Sequence, residues 1–431
     1  MIRLTPLALA VACSASSPDI KQVEPSFIEV SGTLDASASS DTGEPSMTEG
    51  TIPFSNEERT LSITGQTLNR DADPEPYTGW VEVQVRPGKI IRVNGGTAVE
   101  GTDEVVRWYK EIEEGQIDIE VTLRSGFGPT RAWVSAVSSP DEDRIGGSFA
   151  TGVTEAFDIE LPTIAQMQTT DKHETNPLYK EYVTLRTDDR DVVVSALTTN
   201  GFWATDLGDA PGNFSGIFVY TFNKPEEVAV GERITLLGGG AEEYIGATQL
   251  GFPLYETENK ATLTPPDAVE VTSDYCTGGQ TEHVALEALE SSLVTLPSVK
   301  VPDDFTAPED PDNVEAFSDQ AQYLQYGQWP VETEDGCRFY VVSNTTVPGF
   351  NAFDYTGQDI GALTGMLSYA SAGGSIWIVL VRGPEDLPAY TPTEADDGAQ
   401  GPPTPTPRQF HRRTTTPQCD HDHSVQAHQG H

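Results

Sequence analysis

Basic residues are scarce in this 431-residue chain: 25 Lys and Arg stand against 67 Asp and Glu, a formal charge of −42. Proteins grip nucleic acid with Lys and Arg that displace condensed counterions, so this balance argues against nucleic acid as a partner. It suits solubility where salt screens self-repulsion. No apolar run reaches the roughly 20 residues of a bilayer-spanning helix. The four cysteines form no Cys-x-x-Cys pair, and there is no Gly-x-Ser-x-Gly elbow, Walker loop or His-Glu-x-x-His. Of seven histidines, only His173 and His283 precede residue 400, both in polar stretches. A Ser-His-Asp or Cys-His device would have to use one of them. The expectation is a protein with no catalytic residues, no metal site and no cofactor.

What is present begins with an export pattern. Residues 1–12 place Arg3 before a short apolar run that ends in small residues at Cys13-Ser14, which reads as a signal peptide. Ala10-Val11-Ala12-Cys13 resembles the lipobox of bacterial lipoproteins, with Ala10 where Leu is usual. That resemblance implies acylation of Cys13 and a membrane anchor, and Ser14 resembles the class sorted to the outer membrane. The plainer alternative is an ordinary secretory signal that happens to contain Cys13. Residues 13–58 are rich in Ser, Asp, Glu and Pro and too poor in apolar residues to offset ordering entropy, so they read as a disordered tether. If Cys13 is acylated, Cys276 and Cys337 are the natural disulfide pair in an oxidising compartment, and Cys419 is left over.

From residue 59 the pattern turns to short strands. Leu61-Ser62-Ile63, residues 81–85, residues 90–93, residues 117–121 and Ala132-Trp133-Val134 are mostly alternating runs between Gly, Pro and Asp turns. This predicts a two-sheet antiparallel sandwich over 59–160. Tyr77-Thr78-Gly79, with residues 126–133, resembles the immunoglobulin-like domains of exported bacterial surface proteins.

Residues 161–262 carry Gly201–Asp206, Ser215–Tyr220, Val230–Ile234 and Thr248-Gln249-Leu250, each closed by a turn residue. That is the reading of a small closed antiparallel barrel. The Gly238-Gly239-Gly240 run predicts a bulge or kink at a barrel corner. Residues 270–390 read as a second copy, with residues 292–296, 338–342, 357–369 and 375–387. Residues 302–313 form an acidic insertion expected as a surface loop. The order of these runs over 162–387 resembles the OB-like module that precedes the catalytic domain of secreted nucleases of the endonuclease/exonuclease/phosphatase superfamily. No match to the superfamily's catalytic domain follows. The expected fold class is therefore all-β: an immunoglobulin-like sandwich followed by two OB-like barrels, with a disordered tail over 391–431.

The aromatics Phe202, Trp203, Phe218, Tyr220 and Phe222 have core packing as their plainest reading, although strand alternation sets Phe218, Tyr220 and Phe222 on the face opposite Val219. OB barrels that hold single strands stack bases on such rings within a basic groove. Residues 178–260, however, hold 13 acids against 6 bases. Two metal readings are weaker still. Residues 69–75 alternate oxygen ligands, with Glu82 beyond them, but Pro76 stands where an EF-hand loop needs Gly. Cys419, His421, His423, His428 and His431 could act as a flexible chelator, but a composition-biased tail explains them as well. The function expected is that of a non-enzymatic, exported cell-surface lipoprotein whose β-domains bind or space. The partner is a protein or glycan that the residues do not name. The alternatives are an accessory relative of secreted nucleases that binds nucleic acid, and a glycan-binding surface protein.

Overall fold

A computed structural model describes residues 24–35, 51–101, 105–140, 147–170, 172, 175–311, 313–316, 318–370, 376–388 and 390. Cys13, His173, Cys419 and the tail histidines lie outside them.

Ten strands build the sandwich: β1 (Phe27–Leu34), β2 (Arg59–Leu68), β3 (Gly79–Arg86), β4 (Lys89–Val93), β5 (Thr97–Glu100), β6 (Val106–Ile112), β7 (Gln116–Arg124), β8 (Gly128–Val137), β9 (Ser148–Val153) and β10 (Phe157–Ile159). One sheet runs β1-β2-β7-β4 and the other β10-β8-β3-β6-β5, with β9 also on β8. Period-2 alternation sends Leu61, Ile63, Ile117, Ile119, Val121, Val81, Val83 and Val134 into one shared core.

The tether reading fails for part of its span. Phe27–Leu34 pairs along its whole length with β2, from Phe27 opposite Leu68 to Leu34 opposite Leu61, and it buries Ile28 and Leu34. Its apolar residues are too few to stand out from a Ser- and Asp-rich surround, and they become a strand only because β2 offers a partner edge. Residues 51–58 are also built in. Ile52 bridges Ile159 in parallel, and Phe54 is buried among first-barrel residues.

The helix α1 (Ile164–Gln168) leads into the first barrel behind a capping box. The Gln166 amide donates to Thr163 Oγ1 at 3.2 Å, and the Thr163 amide donates to Gln166 Oε1 at 2.9 Å. Its Ile164 and Met167 share one core with Phe54, Phe127 and the barrel interior, so sandwich and barrel are fused through apolar packing. Polar ties cross the same joint: Asn56 Nδ2 donates to the Gln166 carbonyl at 2.8 Å, and Lys89 Nζ to that of Tyr179 at 2.8 Å.

The first barrel comprises β11 (Tyr182–Thr184), β12 (Val192–Thr198), β13 (Gly201–Asp206), β14 (Gly216–Tyr220), β15 (Glu232–Tyr244) and β16 (Ala247–Ala261). Strands β12, β13 and β14 are antiparallel neighbours. Strand β14 then pairs with β16 in parallel, β16 with β15, and β15 returns to β12. That closed five-strand circuit is the OB order. The expected bulge falls within the triple glycine, where the β15–β16 register shifts between Gly238 and Gly240.

A connecting stretch follows, with β17 (Val269–Glu270), the small hairpin β18 (Cys276–Thr277) and β19 (Gln280–Thr281), and α2 (His283–Glu287). The second barrel is β20 (Leu293–Lys300), α3 (Asp319–Tyr326), β21 (Gln328–Thr333), β22 (Arg338–Val342), β23 (Asp359–Ala370) and β24 (Ile376–Leu380). Its circuit repeats the first: β20-β21-β22, a parallel β22–β24 pairing, then β24-β23-β20. Trp329, Phe339, Trp377, Leu363 and Val379 fill it. The described residues of the acidic stretch 302–313 are largely irregular, but the chain then forms α3, which the sequence reading missed. Ser318 caps it by accepting from the Ala321 amide at 3.2 Å, and Gly327 ends it at φ 71°. The Arg338–Asp319 ion pair and the Tyr340 hydroxyl, donating to Asp319 at 2.7 Å, hold α3 on β22.

Cys276 and Cys337 stand at disulfide distance, with Cα atoms 5.8 Å apart and 61 residues of separation. A cross-link of that loop length stabilises by about 4 kcal/mol in the chain-entropy account. Non-reducing peptide maps should therefore join the two cysteines, and Cys276→Ala with Cys337→Ala should lower the second barrel's unfolding midpoint. Free alkylation of both thiols in the native protein would contradict the pairing.

Candidate functional site at the joint of the two barrels

The first barrel's alternation decides what faces outward. On β13, Phe202 and Ala204 point into the barrel and Trp203 points out. On β14, Ile217 and Val219 point in, while Phe218 and Tyr220 point out. The β12–β13 register shifts between Val194 and Ala196, which brings Ala196 to the outer face opposite Trp203. The second barrel answers with its own outward residues: Leu293 from β20, Met366 from β23 and Leu380 from β24. Ala196, Trp203 and Met366 are buried in the seam, with Phe218, Leu293 and Leu380 packed against them. Core packing thus holds for Phe202. Trp203 is buried between barrels rather than inside one, and Phe218 and Tyr220 line the seam's open end.

The seam also needs close backbone approach. Phe214 N–H donates to the Ala288 carbonyl at 2.8 Å, and a Cβ on Gly216 would collide with the Ser291 carbonyl oxygen. Beside it, Glu290 is fully buried. Its Oε2 accepts from the Thr248 amide at 3.0 Å, and Oε1 has no hydrogen-bond partner. Burial pushes this carboxyl well above the ordinary carboxylate value; Glu287 and Glu243 push it further, while the Thr248 amide opposes them.

Where the barrels diverge they leave a cleft of about 420 Å³. Trp203, Phe218, Tyr220, Phe222 and Phe252 supply rings from the first barrel, and Tyr369 from the second. Thr198, Asn200, Gln249 and Ser368 add polar groups. Among the described residues Glu242 is the one charged member of the lining, and Gln249 Nε2 donates to its Oε2 at 3.1 Å. A Cβ at Gly251 would collide with the Glu242 carboxylate, so the glycine makes room for it. The rings form a run: Trp203 and Phe218 centroids are 5.0 Å apart, Tyr220 and Phe222 4.7 Å, and Phe222 and Phe252 5.2 Å. Phe252 is 70% exposed, Tyr244 61% and Phe222 48%.

Backbone strain gathers at the same rim. Phe222, Ile245 and Phe252 have φ of 65°, 55° and 48°. That region is uncommon for any side chain and an outlier for bulky or β-branched ones. Ile245 and Gly246, both at positive φ, turn β15 into β16, in a hairpin turn that ordinarily takes Asn or Gly. Strain of about 1–3 kcal/mol per residue persists where other interactions hold it, and it concentrates at ligand clamps and switches.

No protein-family model, curated protein or solved structure matches this chain. The site is therefore read from its own geometry.

The other candidate groups fall elsewhere. His283 Nδ1 accepts from Trp377 Nε1 at 3.1 Å, so it supports a core tryptophan of the second barrel. Asn69 Oδ1 accepts from the amides of Asp71 and Asp73, closing its own turn, and Glu82 is buried on β3 beside Gln84. Among the described residues no three His, Cys, Asp or Glu side chains are grouped to hold a metal. The cleft escaped sequence reading because its two walls lie more than a hundred residues apart. The available signals were the outward half of β14 and the exposed Phe252 beyond the Leu250-Gly251 step.

The Glu290 environment predicts a pH effect. From the ordinary glutamate value of 4.5 up to its own raised value, the folded chain holds a proton that the unfolded chain has released. Stability from this group is complete below that window and falls as pH rises through it. Glu290→Gln should be at least as stable as the parent at pH 8 and show a shallower decline from pH 5 to 8 in thermal unfolding. An equal loss at both pH values would show that the charge state of Glu290 is irrelevant to the joint.

Proposed function

We propose that this chain is an exported, non-enzymatic cell-surface lipoprotein. Its sandwich spaces and its fused OB-like barrels bind a ligand in the cleft between them. The observation that carries the reading is the cleft itself. Exposed rings, polar side chains and a strained rim converge where two barrels pack together. A concave, mostly apolar site with a few placed polar groups is what binding requires. The resemblance of residues 162–387 to the module beside the catalytic domain of secreted nucleases supports a binding or positioning role.

Export and anchoring rest on the charge and apolar pattern of residues 1–12 and the lipobox-like Ala10–Cys13. Among the described residues no helix is long and apolar enough to cross a membrane. Cys13→Ala should move the protein from the membrane fraction to the soluble one and remove the lipid increment from its intact mass. An unmodified mature N-terminus elsewhere would overturn the anchor.

The nucleic-acid alternative is disfavoured by the cleft's charge. Among the described residues its lining holds Glu242 and no Lys or Arg, so an approaching phosphate chain meets repulsion there without counterion release. Labelled single-stranded oligonucleotides, titrated with magnesium at low and moderate salt, should show neither turnover nor salt-steep binding. Sub-micromolar binding with a steep salt slope would restore the nuclease-accessory reading.

A further inference from the structure

We infer that the inter-barrel cleft binds a neutral oligosaccharide, with Tyr220, Phe222 and Phe252 as the stacking surface and Glu242 as hydroxyl acceptor. The inference rests on the cleft being a ligand site, as proposed above, and names the ligand's chemistry.

Each feature of the lining removes a ligand class. Fatty or wholly apolar ligands would bury the Glu242 carboxylate and its Gln249 partner without replacing their hydrogen bonds to water, which costs several kcal/mol for polar groups and more for a charge. Phosphorylated, sulfated or uronate ligands would bring an anion to a cleft whose one charge among the described residues is already negative. A neutral sugar has neither fault. Its C–H face is apolar and flat enough to lie on a ring, and its hydroxyls donate to a carboxylate. Such charge-assisted bonds are about twice as strong as neutral ones.

The geometry fits a chain rather than a single ring. The cleft's 420 Å³ is within the roughly 300–1,000 Å³ of small-molecule sites. Within the lining, exposure rises along one run of rings. From Tyr220 the rings step 4.7 Å to Phe222 and 5.2 Å to Phe252, which is the most exposed of the three. A ligand seated beside Glu242 can therefore continue over the exposed faces of Phe222 and Phe252.

The test uses the full chain, with an array of neutral, sulfated and uronate-containing oligosaccharides, a single-stranded oligonucleotide and a peptide library. Calorimetry follows on whatever binds. Neutral oligosaccharides should bind. Phe222→Ala and Phe252→Ala should each weaken binding roughly tenfold with unchanged circular dichroism and unfolding midpoint. Glu242→Gln should retain more affinity than Glu242→Ala. Neutral-sugar binding that ignores all four variants would overturn the cleft as the site. Binding of anionic sugars, oligonucleotide or peptide alone, weakened by Phe222→Ala, would overturn the ligand class and leave the interaction role standing. No binding across all classes would overturn both.

Discussion

The seam around Trp203 is the constraint on which the candidate site depends. An OB barrel closes by its own hydrogen bonds, and each of these two has a complete core without the other. Their relative placement comes from a small apolar contact, Ala196 and Trp203 against Met366, edged by Phe218, Leu293 and Leu380. Removing a buried tryptophan's packing costs about 3–5 kcal/mol, a large share of what holds two domains in register. The same contact exposes the outer ends of β14 and β23 to each other, and the cleft is what remains open between them.

The seam is also where the chain carries polar and conformational cost. Glu290 is buried beside two other glutamates, and Phe214 and Ser291 adopt positive φ where the barrels touch. A few steps away, Phe222, Ile245 and Phe252 do the same at the rim. Local violations of sequence preference that tertiary structure holds in place tend to mark function. Among the described non-glycine residues at positive φ, Phe214, Phe222, Ile245, Phe252 and Ser291 lie at this seam and rim, while Ala72, Glu114, Ser125, Lys180 and Asn259 lie elsewhere.

The chain thus divides its labour by surface. The sandwich shares the first barrel's core through Phe54, Phe127 and α1. The first barrel contributes most of the cleft's rings and its carboxylate, and the second contributes the opposite wall. Among the described residues the acidity that dominates the composition enters the cleft as Glu242 alone, so bulk charge and local binding chemistry are separate matters.

Much of the architecture was legible in residues. Alternation in residues 117–121, short apolar runs closed by turn residues at 201–206 and 215–220, and the matching run at 338–342 located strands, because strand patterning and turn chemistry are local. The triple glycine marked its bulge for the same reason. Cys276 and Cys337 could be paired once Cys13 was assigned to acylation. Strand β1 was not legible: its stabilisation comes from β2, about thirty residues later, not from its own composition. Helix α3 and strand β21 were missed in a region where acidic loop residues dominate. The cleft could not be read at all. Alternation set Phe218, Tyr220 and Phe222 on the face opposite Val219, but did not show whether solvent, core or a second barrel covers it. That was decided by packing between β13–β14 and β20–β24, because long-range apolar contact has no periodic trace in the sequence.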